Sequence, residues 1–495
     1  MSSTYKHGVY TSEVATSMIA PILGTAGLQV VVGTAPVNML GENFANAVNK
    51  PILANSYAEA VKALGYSDDF KNYTLCEAIS ATFQVVGVGP IVLINVLDPS
   101  KASHKTAMTG GSVQVNNYVA VVEEKGLIID AALTVSIPGE GGADPTVLTR
   151  GTDYVVTFNN DGTANLIMVS AAAKAATTVT VAGNKVNPAG VTAADIVGSV
   201  DVATGAETGL EVIRQIYPKL SMTPGILIAP RFSENATVAA ALQAKTKEIN
   251  GVFKCVTVID IDSTASGAKV YSEVKTKKEA QAVADPNAYA VWPYAAVGET
   301  VYSGSSLAAA LTSYVDAVNN DTPNVSPSNK TIAISKMVLN DAENTEVILD
   351  QDQANTINGF GVATFLNMNG FRLWGNNTAA YPGTTDPKDR WFSVRRFLSW
   401  AANTFILTYF QKVDDPANKR LIESIVDSEN VRGNGFVARD ICARYEITFN
   451  EDENTTADLL NGKLTFHQYI TPYTPAEDIE DVIEFDPNAL SNALT

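Results

Sequence analysis

Short apolar runs separated by a helical stretch mark the first part of the chain. The segments Leu28–Gly33 (LQVVVG) and Pro90–Leu97 (PIVLINVL) are almost continuous in apolar residues, which predicts buried strands. Between them, Ser56–Leu64 (SYAEAVKAL) has helical spacing, with Ser56 as the N-cap and Glu59 in the first turn. This strand–helix–strand order predicts an α/β arrangement.

The pattern changes over residues 104–202, which are rich in Thr, Val, Ala and Gly. Two segments, Gly126–Ile137 and Asp153–Phe158, are typical of strands. The turn Asn159–Gly162 (NNDG) favours a hairpin, because an Asp-Gly pair tolerates the positive φ that such turns need. We interpret this stretch as an all-β domain inserted into the α/β domain.

The α/β pattern then resumes. Gly225–Ala229 and Phe253–Ile261 are apolar runs that predict buried strands, and Asn235–Asn250 has the spacing of an amphipathic helix that ends at Gly251. Strands of this kind between helices indicate a parallel or mixed sheet.

A different pattern begins near Asn369. Apolar residues at steps of three and four predict one long helix with a single apolar stripe, formed by Trp391, Val394, Leu398, Ala401, Phe405 and Tyr409. Asp415 and Pro416 are expected to start a second helix that ends near Gly433. Two alternating segments, Arg444–Phe449 and Gly462–Ile470, predict strands.

These patterns together predict a multidomain chain of the α/β and α+β classes. The predicted parts are an extended N-terminal arm (1–22), an α/β core in two pieces (23–103 and 203–368), the inserted all-β domain (104–202), a C-terminal α+β domain (369–475) and an acidic, extended C-terminal arm (476–495).

Composition narrows the kinds of partner. Hydrophobic residues make up 46% of the chain and charged residues 17%, so a large core is available. The formal net charge of −18 repels phosphates and anionic lipids, so we expect no nucleic-acid partner and no membrane insertion. The N-terminus lacks a signal-peptide pattern, and the sparse cysteines fit a reducing compartment. We therefore expect the protein to be made in the cytoplasm.

Motifs that carry catalytic chemistry are missing from the sequence. There is no Gly-x-Ser-x-Gly elbow, no Walker-type phosphate loop and no His-Glu-x-x-His. The histidines His7, His104 and His467 lie in different segments, and Gly87-x-Gly89 is too short for a dinucleotide fingerprint. We therefore expect that the protein is not an enzyme and has no catalytic, cofactor-binding or metal-binding residues and no cofactor.

Five polar residues have both a structural and a functional interpretation. Asp260 and Asp262 could bind a metal, but a role in ending the strand and capping the next segment is favoured. Arg395 and Arg396 could pair with acids of a neighbouring subunit, or form the solvated face of the long helix. His467 could be a ligand, but it has polar neighbours on an alternating strand, and a side chain that faces solvent is favoured.

Three sequence blocks resemble the contractile tail sheath family of phages and phage-derived particles. The first is GVYTSEV (Gly8–Val14) followed by LQVVVGTAP (Leu28–Pro36), similar to the family's opening arm and first core strand. The second is NGFRLWGNNT (Asn369–Thr378), and the third is DRWFSVRRFLSWAANTF (Asp389–Phe405). The resemblance covers both ends of the chain and the α/β core, but not the β insertion.

The resemblance implies a function in assembly. Sheaths of this kind polymerise as a helical stack of hexameric rings around a tail tube, and they shorten irreversibly to drive the tube through a cell envelope. The implied partners are other copies of the chain, the tail tube protein, and the baseplate and tail terminator proteins. No nucleotide is hydrolysed. The protein would be present in the cytoplasm during assembly and afterwards in the tail of the released particle.

Both termini suit an exchange of strands between subunits, which provides main-chain hydrogen bonds with little side-chain specificity. The candidate exchange residues are Val9, Tyr10 and Val14 in the N-terminal arm and Ile479, Ile483 and Phe485 in the C-terminal arm. In the C-terminal arm the alternation fits a strand better than a frayed helix. The candidate hinges are Pro21, Gly24 and Gly27 before the core and Pro472 and Pro475 after it.

Two other classes of function remain open. Acidity, few cysteines and a Thr-rich and Ala-rich β domain also suit a surface-layer or adhesin protein, although such a protein would need a signal peptide. The third class is an α/β enzyme with an unrecognised site. Within the sheath interpretation, the sequence does not distinguish a phage tail, a bacteriocin-like particle and another injection device, although one unsplit chain is unlike the two-chain sheaths of type VI secretion.

Overall fold

The computed structural model describes residues 23–139, 144–486, 488–489 and 493. The N-terminal arm predicted over residues 1–22, with Val9, Tyr10, Val14 and Pro21, lies outside the described residues.

The elements are numbered in chain order. The strands are β1 (Gln29–Gly33), β2 (Ile52–Ala54), β3 (Ile91–Asn95), β4 (Lys105–Ala107), β5 (Gly111–Asn116), β6 (Val119–Val122), β7 (Thr134–Ile137), β8 (Thr146–Leu148), β9 (Tyr154–Phe158), β10 (Ala164–Met168), β11 (Thr178–Ala182), β12 (Asn184–Val186), β13 (Ile226–Ile228), β14 (Val256–Asp260), β15 (Ala288–Val291), β16 (Tyr294–Val297), β17 (Thr300–Tyr302), β18 (Lys336–Val338), β19 (Glu346–Val347), β20 (Val362–Asn367), β21 (Phe371–Trp374), β22 (Cys442–Thr448) and β23 (His467–Pro472). The helices are α1 (Tyr57–Leu64), α2 (Thr74–Ser80), α3 (Ala171–Ala175), α4 (Ala193–Val197), α5 (Ile216–Leu220), α6 (Ala236–Ala244), α7 (Val274–Ala280), α8 (Gly304–Val318), α9 (Gln351–Gly359), α10 (Pro387–Arg390), α11 (Phe392–Tyr409), α12 (Lys419–Val437) and α13 (Thr456–Leu460).

The largest sheet has eight strands in the order β2-β3-β1-β13-β14-β15-β20-β21. The six inner strands are parallel, and β2 and β21 run antiparallel at the two edges. Val30 and Val32 of β1 pack into the hydrophobic core on one face, and Val31 packs into the core on the other. Burial on both faces explains why these strands are continuous apolar runs.

A second, seven-stranded sheet is antiparallel and has the order β8-β7-β11-β5-β6-β10-β9. It packs around its own core, which includes Val135, Leu166 and Val179. The turn between β9 and β10 falls at the predicted NNDG segment, where Gly162 has a φ of 87°.

The prediction that residues 104–202 are all β is too simple, because α3 and α4 lie among the strands. Ser170 accepts a hydrogen bond from the backbone N–H of Ala173 and so caps α3. Thr192 and Asp195 form a capping box on α4. These local side-chain bonds start a helical turn within a sequence of mixed propensity.

Two predicted boundaries also need correction. The run Gly126–Ile137 forms a strand only at β7, because the Asp130 carboxylate accepts the N–H of Ala132 in a turn. The helix predicted over Asn235–Asn250 ends at Ala244. The chain then reverses through Asn250, whose φ is 54°.

The long C-terminal helices also differ from the prediction. The second of them begins at Lys419 and not at Asp415-Pro416, because the Asn418 side chain caps α12 through the N–H of Leu421 at 2.9 Å. It also continues past Gly433 to Val437. The first long helix, α11, is buried on more than the predicted stripe, since it contributes Phe392 to one face of the main sheet and Leu407 to the other.

In the part of the chain that the structure describes, no helix is both long enough and apolar enough to cross a bilayer.

Candidate intersubunit surface

The last two strands form a small sheet of their own beside α12. β22 and β23 pair antiparallel, with Tyr445 opposite Ile470 and Ile447 opposite Gln468. Tyr445 is buried, and its ring lies 5.4 Å from that of Phe436 on α12, measured between centroids. Two strands alone are marginally stable, so packing against α12 supports this sheet.

The helix α12 covers the outer edge of β22. The Asn430 Nδ2 donates to the carbonyl oxygen of Ile447 at 3.0 Å, and the Ile447 N–H donates to Asn430 Oδ1 at 2.8 Å. A Cβ added at Gly433 would lie 2.1 Å from the carbonyl oxygen of Tyr445, so only glycine allows the helix to approach this closely. The edge of β22 is therefore occupied by its own subunit.

The outer edge of β23 has a different environment. The backbone N–H and C=O of Ile447 bond to Asn430 and not to β23. Ile447 and Gln468, which lie opposite each other, therefore form a non-hydrogen-bonded pair. The N–H and C=O of Gln468 consequently point away from β22. Ile470, two residues further, has the same orientation. Within the described residues, no third strand joins this sheet. The β23 edge thus presents main-chain donors and acceptors suited to another extended strand.

Beyond β23, the described part of the C-terminal arm exposes apolar side chains. Residues 473–486 have no regular secondary structure. The predicted exchange residues Ile479, Ile483 and Phe485 are 86%, 88% and 75% exposed, and Val482 is also exposed. An exposed apolar cluster on an acidic segment is typical of a surface that another chain covers.

The base of this arm lies in a cleft of about 720 Å³ beside the NGFRLWGNNT block. The cleft is lined by residues that include Trp374, Asn377, Tyr381, Arg390 and Pro475–Ile479. Glu477 pairs with Arg390, with Oε2 and Nη2 separated by 2.8 Å. The chain thus leaves the body of the molecule close to the most distinctive sequence block.

Three of the predicted hinge residues, Pro472, Gly24 and Gly27, make close contacts within the subunit. Pro472 is buried and pairs with Cys442 at the end of β23. This strand begins at His467 and not at Gly462, and it ends two residues after the predicted strand. The Gly24 N–H donates to Thr404 Oγ1 at 3.1 Å, and its carbonyl oxygen accepts from Trp400 Nε1 at 2.9 Å. At Gly27, an added Cβ would approach the Asp316 carboxylate at 3.3 Å.

Arg396 does not face solvent, and its partners lie within its own subunit. Its side chain is 2% exposed and donates to Asp316 Oδ1 at 2.9 Å and to the carbonyl oxygen of Ala26 at 3.1 Å. Both interpretations of Arg396 made from the sequence are therefore wrong. Arg395 pairs with Asp389 of its own chain at 3.3 Å. His467 is partly exposed, as expected, and its Nδ1 lies 2.7 Å from Glu453 Oε1.

The carboxyl edge of the main sheet carries a group of hydrogen-bonded carboxylates, of which Asp260 is buried and Glu234 and Asp262 are half-buried. Asp260 accepts from the Ser305 N–H at 2.7 Å and from Ser233 Oγ at 2.9 Å, so it caps α8 rather than standing open to a ligand. Glu234 accepts from Tyr294 Oη at 3.1 Å and from Asn340 Nδ2 at 2.7 Å.

Burial raises the pKa of Glu234 to about 8 and that of Asp260 to about 6. Asp262 accepts from the N–H of Thr264 at 2.9 Å. These bonds stabilise the edge where ligands bind in many α/β proteins. Across the described residues, no group of three or more His, Cys, Asp or Glu residues could hold a metal ion.

Sequence comparisons connect this arrangement to known proteins. No family model matches the chain. It is 27% identical over 487 residues to the tail sheath protein of Burkholderia phage BcepMu, covering 96% of each chain. It is also 26% identical over 318 residues to the tail sheath protein of Escherichia phage P2, covering 61% of this chain and 74% of that protein. The resemblance to contractile tail sheath proteins is confirmed.

Structural comparisons show the same fold. The sheath complex of an extracellular contractile injection system, PVC, in its contracted state gives a TM-score of 0.56 at 13% identity and covers 99% of this chain and 100% of that one. The contracted helical sheath of the anti-feeding prophage gives 0.56 at 14% identity, with 98% and 99% covered. The mixed α/β architecture with several sheets is therefore the fold that these two sheath structures have.

Sequence reasoning found some of this surface and missed the rest. It identified the C-terminal arm and the block Asn369–Thr378, which lie together at the cleft. It missed Asn430, Gly433 and Arg390, because their roles depend on how distant segments pack. The pair Gly433 and Gly435 inside an otherwise helical segment was the available signal for a close backbone approach.

Proposed function

We propose that the chain is a structural subunit of a contractile tail sheath and not an enzyme. It polymerises as a helical stack of hexameric rings around a tail tube, and contracts irreversibly to drive the tube through a cell envelope. The observation that carries this proposal is the similarity to a phage tail sheath protein over 96% of the chain. The partners are other copies of the chain, the tail tube protein, and the baseplate and terminator proteins. Assembly takes place in the cytoplasm before the particle is released.

Strand exchange links the subunits in this proposal. Residues 1–22 of one subunit and 476–495 of another add as strands to a neighbour's two-stranded sheet, beginning at the open edge of β23. The support is that α12 covers the other edge, through Asn430 and Gly433. Contacts through the main chain tolerate a change of side-chain environment, so they can persist while other surfaces move.

In this proposal the hinges lie where the fewest hydrogen bonds hold the chain to the body of the subunit. After the core, the candidate residues are 473–476, because Pro472 is still paired in β23 and Pro475 lies outside it. Before the core, the hydrogen bonds of Gly24 and Ala26 to α11 hold the chain, so movement would begin before Gly24. Residues 104–202 form the insertion in this arrangement, and Val186, Val191 and Ile196 at its end pack into the core of the main sheet.

Electron microscopy of the overexpressed protein in negative stain tests the function. We expect the protein to form long cylinders with six subunits per ring when neither tube protein nor nucleotide is added. Flat two-dimensional lattices would favour the surface-layer class. A protein that forms no polymer and turns over a substrate in an activity screen would overturn the proposal in favour of an enzyme.

A further inference from the structure

A partly exposed arginine at the base of the C-terminal arm has an unusually complete set of contacts. The Arg390 guanidinium carbon lies 3.9 Å from the centroid of the Trp391 ring and 4.7 Å from that of Tyr381. Its Nε donates to Asn377 Oδ1 at 3.0 Å. Stacking on two rings and one hydrogen bond together fix the plane of the guanidinium before any carboxylate arrives.

The groups that hold Arg390 are themselves held by hydrogen bonds. Asn377 Nδ2 donates to the carbonyl oxygen of Asn358 at 3.1 Å, which orients the amide that holds Arg390. The Thr378 N–H donates to the Arg390 carbonyl oxygen at 2.7 Å, so the backbone of Arg390 is held to the same loop. Such an arginine is preorganised for a carboxylate, because little side-chain freedom is lost when the carboxylate binds.

Glu477 is the carboxylate that occupies the pocket. Arg390 Nη2 donates to Glu477 Oε2 at 2.8 Å. Beyond Glu477, no side chain of residues 478–486, the next part of the arm that the structure describes, forms a hydrogen bond or ion pair with the body of the molecule. The ion pair therefore marks the last polar attachment before the exposed segment that begins near Ile479.

We infer that Arg390, Tyr381, Trp391 and Asn377 form a receptor for the Glu477 carboxylate and that this receptor fixes the point where the C-terminal arm leaves its own subunit. The part of the arm that can reach a neighbour then starts at Asp478, so the inference narrows the exchanged segment to residues 478–495 and moves the C-terminal hinge from residues 473–476 to the residues after Glu477. The inference rests on the proposed strand exchange, to which it adds the fixed origin of the arm. Arg390 is a positioning residue, since it acts on the neighbour only through the arm.

A spin label beside Glu477 tests the receptor directly. The native cysteines Cys76, Cys255 and Cys442 are buried, so an Ala476→Cys variant takes the label at one exposed position. We compare label mobility by electron paramagnetic resonance in this background, with Glu477→Gln, and with the control Glu480→Gln. The protein is kept at a concentration where light scattering detects no polymer.

We expect Glu477→Gln to increase the mobile fraction of the label, with an apparent release equilibrium about threefold to fivefold larger, as for loss of one surface ion pair. Added salt should have the same effect, and Glu480→Gln should have none. The charge-swapped double variant Arg390→Glu with Glu477→Arg should restore part of the restraint. Identical spectra for all variants would overturn the inference.

The same variants separate this inference from the proposed function. If Glu477→Gln frees the label but removal of residues 478–495 leaves normal polymers, the anchor exists and strand exchange by this arm is wrong. If the label is unaffected while that deletion abolishes polymers, strand exchange stands and the anchor is wrong.

Discussion

Single buried charges join distant parts of this chain. Arg396 on α11 and Asp316 on α8 are both buried, and Arg396 also holds the carbonyl oxygen of Ala26 ahead of β1. Burial raises the pKa of the Asp316 carboxyl, and the adjacent Arg396 opposes that rise. A charge in such a place is tolerated only because its partner and further hydrogen bonds are present.

Removing one member of this pair should be costly. We expect Asp316→Ala to lower the free energy of unfolding by about 3–5 kcal/mol, because Arg396 would be left charged and buried. The control is Asp389→Ala, which removes the partner of the more exposed Arg395 and should cost about 1 kcal/mol or less. Urea unfolding followed by tryptophan fluorescence measures both. Equal midpoints for the two variants would contradict the assigned role of the buried pair.

The pattern of residues along one helix could not predict this pair. Arg396 follows Arg395 in the sequence, and helical periodicity alone gives both the character of a polar face. The acid that makes burial of Arg396 possible lies 80 residues away on α8, so its effect is visible only after the two helices pack.

At the scale of elements, apolar runs predicted four of the six inner strands, β1, β3, β13 and β14, because the parallel sheet is buried on both faces. The strands β15 and β20 were not predicted from the sequence. The N-cap at Ser56 was also predictable, since its bond to the Glu59 N–H is local. Starts and ends that depend on tertiary contact were not. Asn418 and Asp415 are both suitable caps, so the local sequence alone does not decide where α12 begins, and the close approach of Gly433 to the Tyr445 backbone exists only once α12 packs on β22.

The seven-stranded sheet offers a test of how independent an element can be. The pair β4 and β12 forms its stem, and the Met108 N–H donates to the Gly183 carbonyl oxygen at 2.9 Å. Replacing residues 109–182 with a short Gly/Ser turn should therefore leave a protein that unfolds cooperatively, since the stem closes as a hairpin. Circular dichroism during heating measures this.

A larger deletion provides the matched comparison. Removing residues 104–202 also takes Val186, Val191 and Ile196 out of the core below the main sheet. We expect that variant to melt at a lower temperature than the shorter deletion, because buried aliphatic side chains each contribute about 1.5–3 kcal/mol. Non-cooperative melting of the shorter deletion with several linker lengths would show that residues 109–182 are required by the core.

At the scale of the whole molecule, the C-terminal arm combines exposed apolar side chains with a high density of negative charge. The arm exposes Ile479, Val482, Ile483 and Phe485, and residues 476–495 include six acidic residues and no basic one. The chain as a whole has a net charge of −18. Like charges oppose random pairing of exposed edges, so in the proposed exchange a strand would be accepted only where its apolar side chains are also covered.

The consequence for assembly can be tested by shortening the arm after its anchor. Deleting residues 478–495 keeps the Arg390–Glu477 pair and removes the exposed apolar residues, none of which is buried in the subunit. We expect an unchanged melting temperature for the monomer and a loss of cylinders in electron micrographs, because the β23 edge would lack its strand. A triple replacement by Ser of Ile479, Ile483 and Phe485 should weaken polymerisation in the same direction, while Glu480→Gln should leave it intact. Sheaths of normal length from the shortened protein would show that the subunits are linked through the surfaces of their domains and not through this arm.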